Sequence, residues 1–436
     1  MRRLILTAAL LATACQHYAP APLATTPPLV SVPFERSLGV GDVVRLALEN
    51  NLDLKVARTK RGLAEAALIQ SGILPNPSLA VAFLPLISGD GVAPAWSVGL
   101  TQDIKAIVTY RSKRRAARDN LGQADADLLW QEWQVAGQAR QLAVDLIGAA
   151  RARPLAEQAV RILRARDEAV EQALAAGNTT LVIAAPTRTA FQSARVTLDT
   201  LDQRILSLRH QLNALLGFAP DTVVPLAAAA ELPPFDPAAI RASLATLPDR
   251  RPDLLALRLG YAAQEETVRQ AILTQFPDLV LGGSATRDSS KVLNIGPQAT
   301  IGLPIFDRGQ GSIAAVRATR AQLQAEYAAR LAATTGEVGA TLAEMEQLTR
   351  QLAIARADLP AARLAAQRAE AAHGASAIDE AAYVELITAR FTREQDVMTL
   401  ELALMDRQVA LQTLVGAGLP GVDTLPLPAP VAGAAR

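Results

Sequence analysis

One stretch in the middle of the chain occurs twice, and that duplication limits the fold more than any other feature. Arg250–Leu281 reads as a helix, then a proline, then the start of a strand. At one constant offset, Asp253, Leu254, Arg258, Glu265, Gln270, Pro277 and Leu279 recur as Asp53, Leu54, Arg58, Glu65, Gln70, Pro77 and Leu79. A window this rich in Leu and Ala gives roughly two or three such identities by chance, so the order of elements carries more weight than the matches. In both copies a helix runs into proline, an alternating strand follows, then a second strand, then a very long helical run. A shared order of this kind marks a duplicated unit.

The strands are legible from their period of two. Ser78–Leu86 sets Leu79, Val81 and Phe83 against Ser78, Ala80 and Ala82, and Ala95–Gln102 sets Trp96, Val98 and Leu100 against Ser97, Gly99 and Thr101. The turn signal Ser88-Gly89-Asp90-Gly91 lies between them, so the pair is a hairpin. The second copy repeats this with Leu279–Ala285 and Ile295–Leu303. Each hairpin is followed by a helical run without a turn cluster, Arg111–Ala176 and Ser312–His373. At 1.5 Å per residue each is a rod on the order of 100 Å long. Pro154 and Pro360 interrupt the rods at similar places, as tolerated kinks or as planned bends.

The rods end at the turns Gly177-Asn178-Thr179-Thr180 and Gly374-Ala375-Ser376, and a return helix follows each. The expected organisation is a signal peptide over 1–14, a Pro-rich spacer over 15–37, a first repeat over 38–217 and a linker over 218–237. A second repeat covers 238–416, and a loose Pro-, Gly- and Ala-rich tail covers 417–436.

Composition narrows the function. A net charge of +1 gives no electrostatic case for nucleic acid. Abundant Ala, Leu, Arg, Gln and Glu with few aromatics suit long helices packed closely on one another. Past the N-terminus no apolar run approaches the roughly 20 residues that a membrane helix needs, so any crossing must be made by strands. Arg2 and Arg3 precede a short apolar run, Leu4–Leu11, and Ala12-Thr13-Ala14 offers a cleavage site before Cys15, the one cysteine of the chain. Ordinary cleavage after Ala14 competes with lipid attachment at Cys15. The sequence favours lipidation, because a lone thiol at the cleavage point is otherwise a liability in an oxidising compartment.

No catalytic constellation is present. His17, His210 and His373 are isolated and lack metal spacing, and the glycine clusters lack the Lys-Ser/Thr of a phosphate loop. No enzyme, metal or cofactor is expected. Four strands are too few to close a membrane barrel, which needs at least eight in bacterial single-chain examples. An open edge in lipid leaves backbone groups unsatisfied at several kcal/mol each. The strands must therefore be pooled between chains, unless the protein is a periplasmic helical scaffold lipoprotein without a pore.

At these residues the chain resembles a known family. Leu74-Pro75-Asn76-Pro77-Ser78-Leu79, Arg251-Pro252-Asp253-Leu254 and Gly302-Leu303-Pro304-Ile305-Phe306-Asp307-Arg308-Gly309 resemble motifs of the TolC-type outer-membrane efflux proteins. The closest likeness is to the lipid-anchored outer-membrane factors of resistance-nodulation-division pumps. The resemblance implies an α+β membrane protein built of duplicated hairpin and long-helix units. Its homotrimer would carry a twelve-stranded β-barrel in the outer membrane and a helical barrel in the periplasm. It implies a passive exit duct that receives substrate from an inner-membrane efflux transporter through a periplasmic adaptor (membrane fusion) protein. The tips Gly177, Asn178, Thr180, Gly374 and Ser376 would then contact the adaptor. Asp379 and Glu380 would narrow the pore, unless they are simply first-turn acids favoured by the helix dipole. The first tip lacks an equivalent acid.

Overall fold

The computed structural model describes residues 18–30, 33–234 and 236–425. The first repeat runs α1 (Val40–Asn50), α2 (Leu52–Ser71), β1 (Ser78–Leu84), β2 (Ala95–Asp103), α3 (Ile104–Ala175) and α4 (Leu181–Leu215). The short helices α5 (Pro237–Ser243) and α6 (Leu247–Arg250) lead into α7 (Pro252–Leu273), β3 (Asp278–Arg287) and β4 (Leu293–Gly302). The chain then forms α8 (Gln310–Gly374) and α9 (Glu380–Val415).

The rods are longer than the sequence suggests. α3 has 72 residues and α8 has 65. The first rod begins at Ile104 rather than Arg111 because no loop separates it from β2. Asp103 ends the strand and caps the helix, accepting from the Ala106 amide at 3.2 Å. Helix runs through both Pro154 and Pro360. Lateral packing therefore outweighs the roughly 3 kcal/mol that an interior proline costs. α3 is the hub of the fold and packs against α1, α2, α4, α7 and α9, while α8 packs on α7 and α9.

The four strands form one antiparallel sheet in the order β1-β2-β3-β4, so the hairpins of the two repeats join at β2 and β3. Val81 pairs with Val98, Val98 with Ala285 and Ala285 with Ile295. β1 and β4 are the free edges.

The two repeats lock onto themselves in the same way. At the start of α2, the Asn51 carboxamide donates to the Leu215 carbonyl at the end of α4, at 2.9 Å. At the start of α7, the buried Arg251 donates to the Leu414 carbonyl near the end of α9, at 3.0 Å. Its other nitrogens make a two-bond pair with Asp253 at 2.9 and 2.8 Å. In both repeats a side chain just before the repeat helix satisfies a carbonyl that helix geometry leaves orphaned. This is the physical content of the Arg251-Pro252-Asp253-Leu254 motif.

The main core lies where α1 and the end of α4 meet the middle of α3, around Val43, Val144, Leu212 and Leu216. The residues preceding α1 strap onto the linker: Val30 bridges Phe218 and Leu38 bridges Leu226. One expectation is corrected at the C-terminus. The first residues of the tail are not loose. The Trp133 indole donates to the Pro420 carbonyl at 2.9 Å, and Arg140 donates to the carbonyls of Ala417 and Gly418 at 3.1 and 2.9 Å. Gly416 makes the turn possible. Its φ is +73°, and a Cβ there would lie 2.1 Å from the Trp133 ring.

Candidate functional site

The sheet has two chemically different faces. Leu79, Val81 and Phe83 stand in register with Leu100, Val98 and Trp96, and the same face continues through Ala285 to Ile295 and from Leu279 to Ile301. This face is apolar and exposed: Val81 keeps 67% of its surface and Ile295 keeps 78%. The opposite face carries Ser97, Thr101, Ser284, Thr286, Asn294, Gln298 and Thr300 between small residues. A sheet with an exposed apolar face, a polar face and two open edges is unsatisfied as a single chain in water, because both the edges and the apolar face seek partners. Among the described residues no helix is long and apolar enough to cross a membrane.

The opposite end of the rods carries the two tips. Each is a Schellman turn, in which the amides just past the helix bond back to its last carbonyls. In the first, Asn178 N–H donates to Ala173 O at 2.8 Å and Gly177 N–H to Leu174 O at 3.0 Å, with Gly177 at φ +74°. In the second, Ala377 N–H donates to Ala372 O at 2.8 Å and Ser376 N–H to His373 O at 2.9 Å, with Ser376 at φ +57°. The equivalent of Gly177 is therefore Ser376, at the same offset that carries Gly217 to Gly416. Within the stretch read as the turn Gly374-Ala375-Ser376, Gly374 is the last residue of α8, and Ser376 takes the left-handed conformation.

Asp379 and Glu380 have different surroundings. Asp379 is exposed and caps α9, its carboxylate accepting from the Ala382 amide at 2.8 Å. Its equivalent in the first tip, Thr180, caps α4 without a side-chain bond. Glu380, the first residue of α9, is mostly buried and held by two other helices. Arg166 of α3 grips it with two bonds, at 2.9 and 2.7 Å, and His373 Nε2 of α8 lies 2.8 Å from its Oε2. Arg166 also stands 5.3 Å over the ring of Tyr383, which packs against His373. Burial pushes the Glu380 carboxyl up, but Arg166 and then His373 outweigh it and hold the group below the usual carboxylate range. The first tip instead exposes Leu181 and Val182, at 71% and 82% of their surfaces.

Sequence reading misses Arg166 and Tyr383 and takes His373 as isolated. Arg166 lies far from the second tip along the chain, and only packing of α3 against α9 brings it there. Cys15 lies outside the described residues. Among the described residues no group of three His, Cys, Asp or Glu side chains is placed to hold a metal.

The chain has the fold of the outer-membrane channels, and residues 244–417 match the family model for outer membrane efflux proteins. The fold that the resemblance to TolC-type proteins implies is thereby borne out. The fold is similar to that of a membrane protein from Pseudomonas aeruginosa, with a TM-score of 0.75 at 19% identity over 95% of this chain and 99% of that one. It is similar to the Campylobacter jejuni CmeC outer membrane channel, with a TM-score of 0.74 at 16% identity over 93% and 94% of the two chains. The open state of the Neisseria gonorrhoeae MtrE outer membrane channel gives 0.69 at 17% identity over 93% and 98%. No curated protein matches the chain by sequence.

Proposed function

We propose that this chain is one third of an outer-membrane exit duct, through which a tripartite pump passes its substrate to the exterior. The observation that carries the reading is the four-stranded sheet, apolar on one face, polar on the other and open at both edges. Three copies joined β4 to β1 close twelve strands, remove every edge and turn the apolar face to lipid. The polar face then lines a water-filled lumen, and the rods continue the wall into the periplasm.

The duct performs no chemistry, and the driving energy comes from an inner-membrane transporter. A periplasmic adaptor would seat at the tips, where Gly177, Asn178, Thr180, Gly374 and Ser376 are exposed beside Leu181 and Val182. Asp379 faces solvent at the same end and is the better placed of the two acids to narrow a mouth. Cys15 carries the lipid anchor in this reading, so Cys15→Ala should abolish palmitate incorporation and leave the assembled barrel intact.

The rival, a helical scaffold without a pore, leaves the exposed apolar strand face unexplained. Planar-bilayer recording of the purified full-length protein separates the two. Discrete conductance steps are expected. Stable membrane association with no conductance would favour the scaffold.

A further inference from the structure

The junctions between strands and helices carry a pattern that conduction does not require. Exposed apolar side chains ring all four. Ile73 and Leu74 precede β1, and Ile107 and Val108 follow β2. Phe276 precedes β3, and Leu303, Ile305 and Phe306 follow β4, with Phe306 at 92% exposure. Immediately beyond this collar, the stretch from Ile104 to Arg118 holds Lys105, Arg111, Lys113, Arg114, Arg115 and Arg118 and no acid. Lys105 is engaged with Asp278 and Arg115 with Glu266. Arg111, Arg114 and Arg118 are exposed and have no ion-pair partner among the described residues.

Ile107, Arg111, Arg114 and Arg118 are spaced to share one face of the helix. At 1.5 Å per residue, Arg111 and Arg114 lie roughly 12 and 16 Å beyond the end of β2. α3 is flanked by α2 and α7 of the same chain, and closure of the ring uses the distant edges β1 and β4. The stripe therefore stays uncovered in the assembly. Apolar side chains followed by unpaired cations along one face match the two layers of a membrane boundary, acyl chain and then phosphate.

We propose that the top of α3 is a headgroup belt: Arg111 and Arg114, backed by Arg118, hold phosphates of anionic phospholipids in the leaflet facing the rods, while Ile107, Val108, Phe276 and Phe306 sit among the acyl chains. The proposal rests on the membrane reading above. Arginine suits it because its planar fork grips phosphate with two bonds, and its stem lies along apolar surface.

The test uses the full-length assembly in detergent, mixed with dioleoylphosphatidylglycerol or dioleoylphosphatidylcholine, with retained lipid counted by native mass spectrometry. The wild type should prefer phosphatidylglycerol and lose that preference as salt is raised tenfold. Each cation near the surface contributes about fivefold, so Arg111→Gln with Arg114→Gln should lower the preference roughly twenty-five-fold. Equal retention of the two lipids by a wild type that inserts into vesicles overturns the belt alone. Failure to insert into vesicles of either lipid overturns the membrane reading with it. An unchanged preference in the double variant overturns the assignment to these residues. A variant with altered ion selectivity and unaltered lipid retention would place the stripe in the lumen instead. Should the variant fail to assemble, the salt titration of the wild type still decides, because a preference insensitive to salt is not a phosphate contact.

Discussion

Asp379 and Glu380 are neighbours in sequence with opposite duties at the second tip, and they separate under substitution. Asp379 is exposed, and its carboxylate caps α9. Asn caps a helix about as well as Asp, so Asp379→Asn should change stability by less than about 0.5 kcal/mol while removing one charge per chain. Glu380 retains 12% side-chain exposure and its partner Arg166 retains 28%. Breaking a fully buried pair costs about 3–5 kcal/mol and an exposed one about 0–1, so Glu380→Gln at this intermediate burial should cost about 2 kcal/mol. The assay is twofold: reversal potential across a salt gradient in planar bilayers, and amide hydrogen exchange over the first turns of α9. Asp379→Asn should weaken cation selectivity and leave exchange unchanged. Glu380→Gln should speed exchange roughly thirtyfold, from 1.4 kcal/mol per factor of ten, and raise the resting conductance with little effect on selectivity. Because the folded-state pKa of Glu380 is lowered, the stability that its contacts with Arg166 and His373 contribute is present above the unfolded pKa and is lost as pH falls through the folded value. If Glu380→Gln removes selectivity and leaves exchange unchanged, Glu380 is a free lumen carboxylate and the latch does not exist.

Three further outcomes follow from single contacts. Val98→Arg, on the apolar face near mid-sheet, should cost about 2–4 kcal/mol and deplete the membrane assembly on semi-native gels, while Ser97→Arg on the polar face should be tolerated. Ser376→Gly should stabilise the protein by about 0.5–1 kcal/mol, read as a higher urea midpoint, because Ser376 holds φ +57° where glycine is unstrained; Gly374→Ala should be harmless, since nothing lies within 4 Å of its added Cβ. Burial and then the Asp145 carboxylate push the Asp406 carboxyl up to about 6, with Gln141 donating to both acids. A raised folded pKa means that its contribution to stability grows as pH falls through about 6 and is complete below the unfolded value. Asp406→Asn should flatten that part of the profile and stabilise the protein at pH 7.5 by about 1 kcal/mol, discounted for its partial exposure.

The parts of the fold that repeat with a short period are open to reading along the chain. Leu79, Val81 and Phe83 alternate, so the lipid-compatible face is visible before any pairing is known. The rods are visible because no turn cluster interrupts them. What depends on contact between distant segments is hidden. Asn51 and Arg251 look unalike, yet both close the end of a return helix. Arg166 reaches Glu380 only because α3 and α9 pack side by side. Trp133 and Arg140 give no sign that they hold the first residues of a tail whose composition reads as loose. The second turn misleads for a local reason: Gly374 is the obvious left-handed residue, but the register of α8 ends the helix so that Ser376 must take that conformation.

If strands are pooled between chains, the mass of the assembly must show it. Full-length protein extracted from outer membranes in mild detergent and measured by native mass spectrometry should contain three chains, with no monomer until the barrel is denatured. A stable single chain, or any assembly whose strand total falls below the roughly eight that a closed membrane barrel requires, would mean that the strands are not pooled.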